Sequence, residues 1–183
     1  MASRELFHIL AAIIILAVVL SFAPLLNQNY SLIPQMLLFS IIIILVPIIA
    51  KKLMALRLDA DVEHEIWFWQ RFGFRVKAKF KKPIPAGVIF PLFFSIFSLG
   101  LIKLMTLLTY ESRALKTRAA KRHGYYSFTE MTDWHHGLIG AAGILSLLIL
   151  AVLAYFIPLP GLETLAKLST FYAFWNLIPI SKL

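Results

Sequence analysis

Cysteine is absent from this 183-residue chain, which excludes a disulfide framework, a thiolate zinc site, an iron–sulfur cluster and a cysteine nucleophile. Acidic residues are scarce too: nine Asp and Glu stand against 18 Lys and Arg, for a net charge of +9. The basic excess is not accompanied by a recognised nucleic-acid motif, and it flanks apolar runs, so no nucleic-acid partner is expected. Repeats, low-complexity tracts and a separate soluble domain are also missing. What the chain does have is apolar surface. It is 60% hydrophobic, with a mean hydropathy of +0.82, more than a water-soluble fold hides. The apolar residues fall in runs near or above the ~20 residues that cross a bilayer core. Helices are the expected form, because lipid offers no partners to the open edges of strands.

The expected fold is therefore an all-α integral membrane protein, a polytopic helical bundle of four to six transmembrane or re-entrant helices. Residues 1–50 read as a transmembrane hairpin: an apolar run from Leu6 to Leu26, a polar turn from Asn27 to Ser31, and a second run from Leu32 to Ala50. Residues 51–82 form a polar, basic, interfacial segment with nine basic and four acidic side chains. Residues 83–183 make the rest of the membrane core and carry a second basic loop at 111–136. Within that core, Gly137 to Ile157 is the cleanest span, Pro158 to Gly161 a tight turn, and Leu162 to Leu183 a last apolar stretch entered through Glu163 and Lys167.

Pro83 to Tyr110 poses a conflict. Its roughly 28 residues suffice for one helical crossing and are too few for two. Yet the segments on either side of it hold 14 of the 18 basic residues, and positive charge collects at the cytoplasmic face. Length places ordinary spanning slightly ahead for this stretch, whereas charge predicts that both loops lie on the cytoplasmic side, which requires the stretch, broken by Pro85, Gly87, Pro91 and Gly100, to return or to cross in an atypical way.

Three segments together resemble the site-2 protease family of intramembrane zinc metalloproteases, over roughly residues 32 to 183. Asn176-Leu-Ile-Pro179-Ile-Ser-Lys-Leu183 is similar to the family's Asn-Leu-x-Pro-x-x-x-Leu-Asp-Gly element and stops one residue before the zinc-binding aspartate. Ile139-Gly-Ala-Ala-Gly143-Ile-Leu-Ser146 is similar to its small-residue helix opening. For the family's HExxH zinc helix, two registers are available. Read directly, His64 and Glu65 match the first histidine and the catalytic glutamate, and Phe68 stands at the second ligand. Anchored on Arg71-Phe-Gly-Phe-Arg75, the histidine positions fall on Asp61 and Glu65. The resemblance implies a metal site at Asp61, His64 and Glu65, Glu65 as catalytic base, Asn176 and Pro179 as substrate-holding residues, and zinc as cofactor if hydrolysis is retained. With its ligand set incomplete, the chain is expected to be a non-catalytic homologue without cofactor that binds membrane segments or partner subunits.

Read without the family, Asp61 and Glu65 lie one turn apart if the segment is helical, with His64 beside them, and such a set suits a divalent metal. Alternation of Asp59, Asp61, Glu63 and Glu65 also suits a solvated face answered by nearby Lys and Arg. Trp67, Phe68, Trp69, Phe72 and Phe74, interleaved with Arg71 and Arg75, suit the headgroup level of a bilayer. Lys103, inside an apolar run, either snorkels to the interface or marks a functional site such as a transport path. Three other functions stay open: an active metalloprotease with an unusual site, an accessory subunit of a membrane complex, and a small transporter.

Overall fold

A computed structural model of the chain describes residues 2–71, 79–115 and 131–178. Three long helices, each apolar enough to cross a bilayer by length and composition, form its frame. The helix α1 (Ala2–Leu26) and the helix α2 (Ile33–Arg57) are joined by a short 3₁₀ turn at Tyr30–Leu32. They make the expected hairpin, and α2 runs through Lys51 and Lys52 rather than ending before them. Buried side chains recur along α2 at Met36, Phe39, Ser40, Ile43, Ile44, Pro47 and Ile48, the i, i+3, i+4 spacing that keeps one helical face inward. Ala12, Leu16, Val19 and Leu20 of α1 are likewise buried.

The segment after α2 is not helical, and the all-α expectation is corrected there. β1 (Ala60–Ile66) pairs antiparallel with β4 (Leu108–Ala114), and β2 (Trp69–Arg71) pairs antiparallel with β3 (Lys79–Ile84). Period-two alternation is the reason: Ala60, Val62, His64 and Ile66 are buried, while Asp61 and Glu65 between them are exposed. A helix would put these residues on every side. Asp59, at φ +50°, turns the chain from α2 into β1, a conformation that aspartate tolerates better than most residues.

Between β3 and β4 lies α3 (Ala86–Phe97). At ~1.5 Å per residue it spans about 18 Å, short of the ~30 Å hydrocarbon core. Leu99 (φ +53°) and Gly100 (φ +81°) then reverse the chain, and residues 101–107 come back without regular structure. The turn packs on Ala23, near the far end of α1. Both limbs meet again at Trp67, whose N–H donates to Leu107 O (2.9 Å) and whose carbonyl accepts from Gly87 N (2.9 Å). Pro83 to Tyr110 is therefore an out-and-back excursion. The argument from length failed because it took both limbs as helix, whereas an extended limb gains ~3.3 Å per residue and returns in about half the chain.

The helix α4 (Asp133–Phe156) and the helix α5 (Leu162–Leu177) complete the bundle as an antiparallel pair joined through Gly161. Gly143 near the start of α4 faces the Lys51 side chain near the end of α2, and Gly161 before α5 faces Gln35 near the start of α2. One end of the bundle thus gathers Glu5, Lys52, the β1–β4 sheet and the start of α4, and the other gathers the α1–α2 turn, the α3 reversal and the start of α5. The main core, including Leu16, Leu20, Ile43, Ile44, Met105, Leu107, Leu147 and Tyr172, lies between them.

Candidate functional site

The sheet end holds the polar chemistry. In β1, side chains alternate across the strand, so Asp61, Glu63 and Glu65 share the outward face and His64 points the opposite way. β4 supplies their partners: Arg113, opposite Asp61 in the register, binds Glu111 at 3.1 Å and reaches Glu63 at 3.7 Å. Glu111, the first cause, and Glu63 raise the Arg113 pKa further. This is the solvated acidic face weighed from the sequence, answered by an arginine from the neighbouring strand.

His64, only 1% exposed, is held from the other side. Its Nδ1 lies 3.2 Å from Glu5 Oε1, and its backbone N–H donates to the same oxygen at 3.3 Å. Lys52 Nζ grips that carboxylate at 2.8 and 2.9 Å. Burial, and then the charge of Lys51, lower the His64 pKa to about 4, against the opposing pull of Glu5. The imidazole is neutral at neutral pH, with its proton on Nδ1 and directed at Glu5. Nε2 is buried without a partner among the described residues. Next to His64, Tyr110 packs at 6.5 Å between ring centroids and carries Lys51 Nζ 4.4 Å over its face. Tyr110 donates its hydroxyl proton to His136 O at 3.0 Å, and burial raises its pKa. His135 turns away to Thr132, closing a capping box at the start of α4, while His136 Nδ1 meets Ser112 Oγ.

Zinc does not fit this arrangement. Asp61 and Glu65 are on a strand, about 13 Å apart at ~3.3 Å per residue, instead of one helical turn apart. His64 faces away from both, and its Nδ1 is taken by Glu5. Asp61 Oδ1 accepts from Val62 N at 2.9 Å. Among the described residues no three His, Asp or Glu side chains converge on a possible ion, and tetrahedral zinc needs at least three protein ligands.

The other predicted residues scatter. Asn176 donates through Nδ2 to Tyr172 O, one turn back in α5, at 2.8 Å, which ties its amide to its own helix. Pro179, Phe72 and Phe74 lie outside the described residues. Trp67 is buried, 5.7 Å from the Phe90 ring, which corrects its reading as an interface anchor; Trp69 packs on Phe90 and Phe80 at the sheet edge. Lys103 stands on the returning limb, three residues past the Gly100 turn, partly exposed in a cleft of about 540 Å³. Glu5, Lys52 and Tyr110 were missed. Glu5 had a signal, as a lone carboxylate opening an apolar run.

A second feature is an apolar cleft of about 670 Å³ between α4 and α5. Ala151, Ala166, Thr170, Tyr155, Phe156 and Phe174 line it together with Glu163 and Lys167; Ala151 and Ala166 are buried, and the others are exposed. No family model, curated protein or solved structure matches the chain.

Proposed function

We propose that this chain is a multi-pass membrane protein that works without hydrolysis, a site-2-protease-like bundle that receives a transmembrane helix of a partner protein in the α4–α5 cleft. The observation that carries the reading is the make-up of that cleft, lined by the small Ala151 and Ala166 together with the aromatic Tyr155, Phe156, Phe171 and Phe174. In lipid, helix association comes from close van der Waals packing, which small residues permit. The exposed Glu163–Lys167 pair, at 2.6 Å, offers polar groups to the flanks of an incoming helix. The joint of Glu5, Lys52 and His64 takes a structural role, holding the sheet against the start of α1 and the end of α2.

The test uses the cysteine-free background. A photo-reactive phenylalanine analogue at Phe174 is reconstituted in nanodiscs with a defined single-span helical peptide, alongside the same chain bearing Val152→Trp as the blocking variant, because Val152 is an exposed lining residue whereas Ala166 is buried in the core. Crosslinking to the peptide, reduced at least tenfold by Val152→Trp, is expected. Crosslinking to lipid alone, or equal yield in both chains, overturns the helix-binding reading. In the same preparation, elemental analysis is expected to find less than a tenth of a zinc per chain, and no cleavage of the peptide; one zinc per chain, or cleavage abolished by Glu65→Ala, overturns the non-hydrolytic part.

A further inference from the structure

We propose that the cleft between the α3 reversal and α5 is a binding site for an anionic phospholipid, with Lys103 and Lys167 holding the phosphate and Leu168, Phe171 and Trp175 lying against an acyl chain. The inference rests on the membrane reading above, but not on the α4–α5 cleft receiving a helix.

Two cations that are 64 positions apart in the chain line this one cleft of about 540 Å³, and no carboxylate among the described residues lines it. Lys103 makes no ion pair among the described residues, and it sits on the extended limb just past the turn. Lys167 is bound to Glu163, but both side chains are about two-thirds exposed, and an exposed i, i+4 pair is worth only ~0.3–0.5 kcal/mol in water. A phosphate can displace that carboxylate or share the lysine with it. Thr164, in the first turn of α5, also lines the cleft, where a hydroxyl and the positive end of a 16-residue helix favour an anion.

The remainder of the cleft is apolar and matches a chain rather than a soluble anion. Ala23, Leu101, Ile102, Phe171 and Trp175 continue it along the bundle, and its volume lies within the ~300–1,000 Å³ of ordinary ligand sites. Its position agrees. Ala23 lies 18 residues along α1 from Glu5, about 27 Å at ~1.5 Å per residue, so the lysines stand near the opposite boundary of a ~30 Å core. Charged lipid headgroups are found at that level, and long lysine side chains extend toward it. A free phosphate would use the two lysines and leave the apolar wall unfilled.

The experiment compares the chain in phosphatidylcholine nanodiscs with the chain in nanodiscs doped with phosphatidylglycerol, reading co-purified lipid by native mass spectrometry and stability by thermal unfolding. Inorganic phosphate in the buffer is a separate arm. Retention of about one phosphatidylglycerol per chain is expected, with Lys103→Gln and Lys167→Gln together weakening it at least tenfold and Lys82→Gln, at the sheet end, leaving it unchanged. Equal retention of both lipids, or equal loss in the Lys82→Gln chain, overturns the site. Full replacement of lipid protection by inorganic phosphate overturns the lipid in favour of a free anion. Reconstitution is read independently: a chain that does not enter the nanodisc overturns the membrane reading, whereas one that inserts but is indifferent to headgroup charge overturns this site alone.

Discussion

Protonation of His64 is opposed by its burial and by the charges of Lys51 and Lys52, against the pull of Glu5. Its pKa in the fold, about 4, lies below the ~6.5 of a free histidine. Since the folded state binds the proton more weakly, stability is fully present above the unfolded pKa and falls as pH drops from 6.5 toward 4. The total approaches roughly 3 kcal/mol at about 1.4 kcal/mol per unit. Unfolding of the detergent-solubilised chain at pH 7.5, 6 and 5 measures this, and His64→Gln is expected to flatten the profile; a slope that survives the substitution would place the acid sensitivity elsewhere. The same residue shows what a local pattern can and cannot convey. His64 beside Asp61 and Glu65 suggested a metal ligand, but its partner is Glu5, 59 positions away, and no spacing within the segment reveals that contact. Lys103 stood out in the sequence as a charge inside an apolar run, whereas Lys167, which lines the same cleft, was taken only as part of a polar helix entrance.

The β1–β4 ribbon was open to reading from its own residues. Asp59, Asp61, Glu63 and Glu65 alternate with Ala60, Val62, His64 and Ile66, the period of a half-buried strand. Expecting a zinc helix overrode that period. The register makes Glu63 and Glu111 direct partners on the outward face, so a chain with both replaced by cysteine is expected to form an intramolecular disulfide on mild oxidation, because cross-strand Cα distances of about 4.5–5.5 Å suit one. Failure to oxidise, judged by thiol labelling, would refute the pairing. Gly87 is the joint between this ribbon and α3. A Cβ there meets Leu107 O and comes within 3.1 Å of Trp67 N. These are backbone atoms fixed by the two hydrogen bonds at Trp67, so they cannot move aside. Gly87→Ala is expected to cost about 1–3 kcal/mol. At Gly143 the neighbour is the flexible Lys51 side chain, and Gly143→Ala should cost less than half as much in the same unfolding assay.

For the molecule as a whole, pairing β1 with β4 puts the segments before and after the excursion at one end of the bundle. That agrees with the distribution of basic residues and not with simple alternation of five crossings. Single cysteines at Lys82 and Leu115 are expected to react with an impermeant thiol reagent from one side of a sealed vesicle, the cytoplasmic side, and a cysteine at Asn29 from the other. Labelling of Lys82 and Leu115 from opposite sides would restore alternation. The three long helices were evident from hydropathy because a helix able to cross a bilayer needs uninterrupted apolar length. The short helix and its extended return were not, because a limb packed inside protein obeys no such length rule, and both limbs are as apolar as a crossing.

The out-and-back excursion also sets an order of assembly. A 12-residue helix is too short to be held in a bilayer alone, and its return limb ends where β4 meets β1 across more than forty intervening residues. While the ribosome is still making the chain, α1 and α2 can already stand as a finished hairpin and offer α3 a surface on α1, but the excursion is not closed until Leu108–Ala114 has emerged and joined β1. A nascent chain stalled with its last exposed residue before Leu108 should therefore leave the 86–107 region open to protease, and one stalled beyond Leu115 should protect it. Synthesis, in this molecule, is expected to close the excursion only after the strand that anchors it has been made.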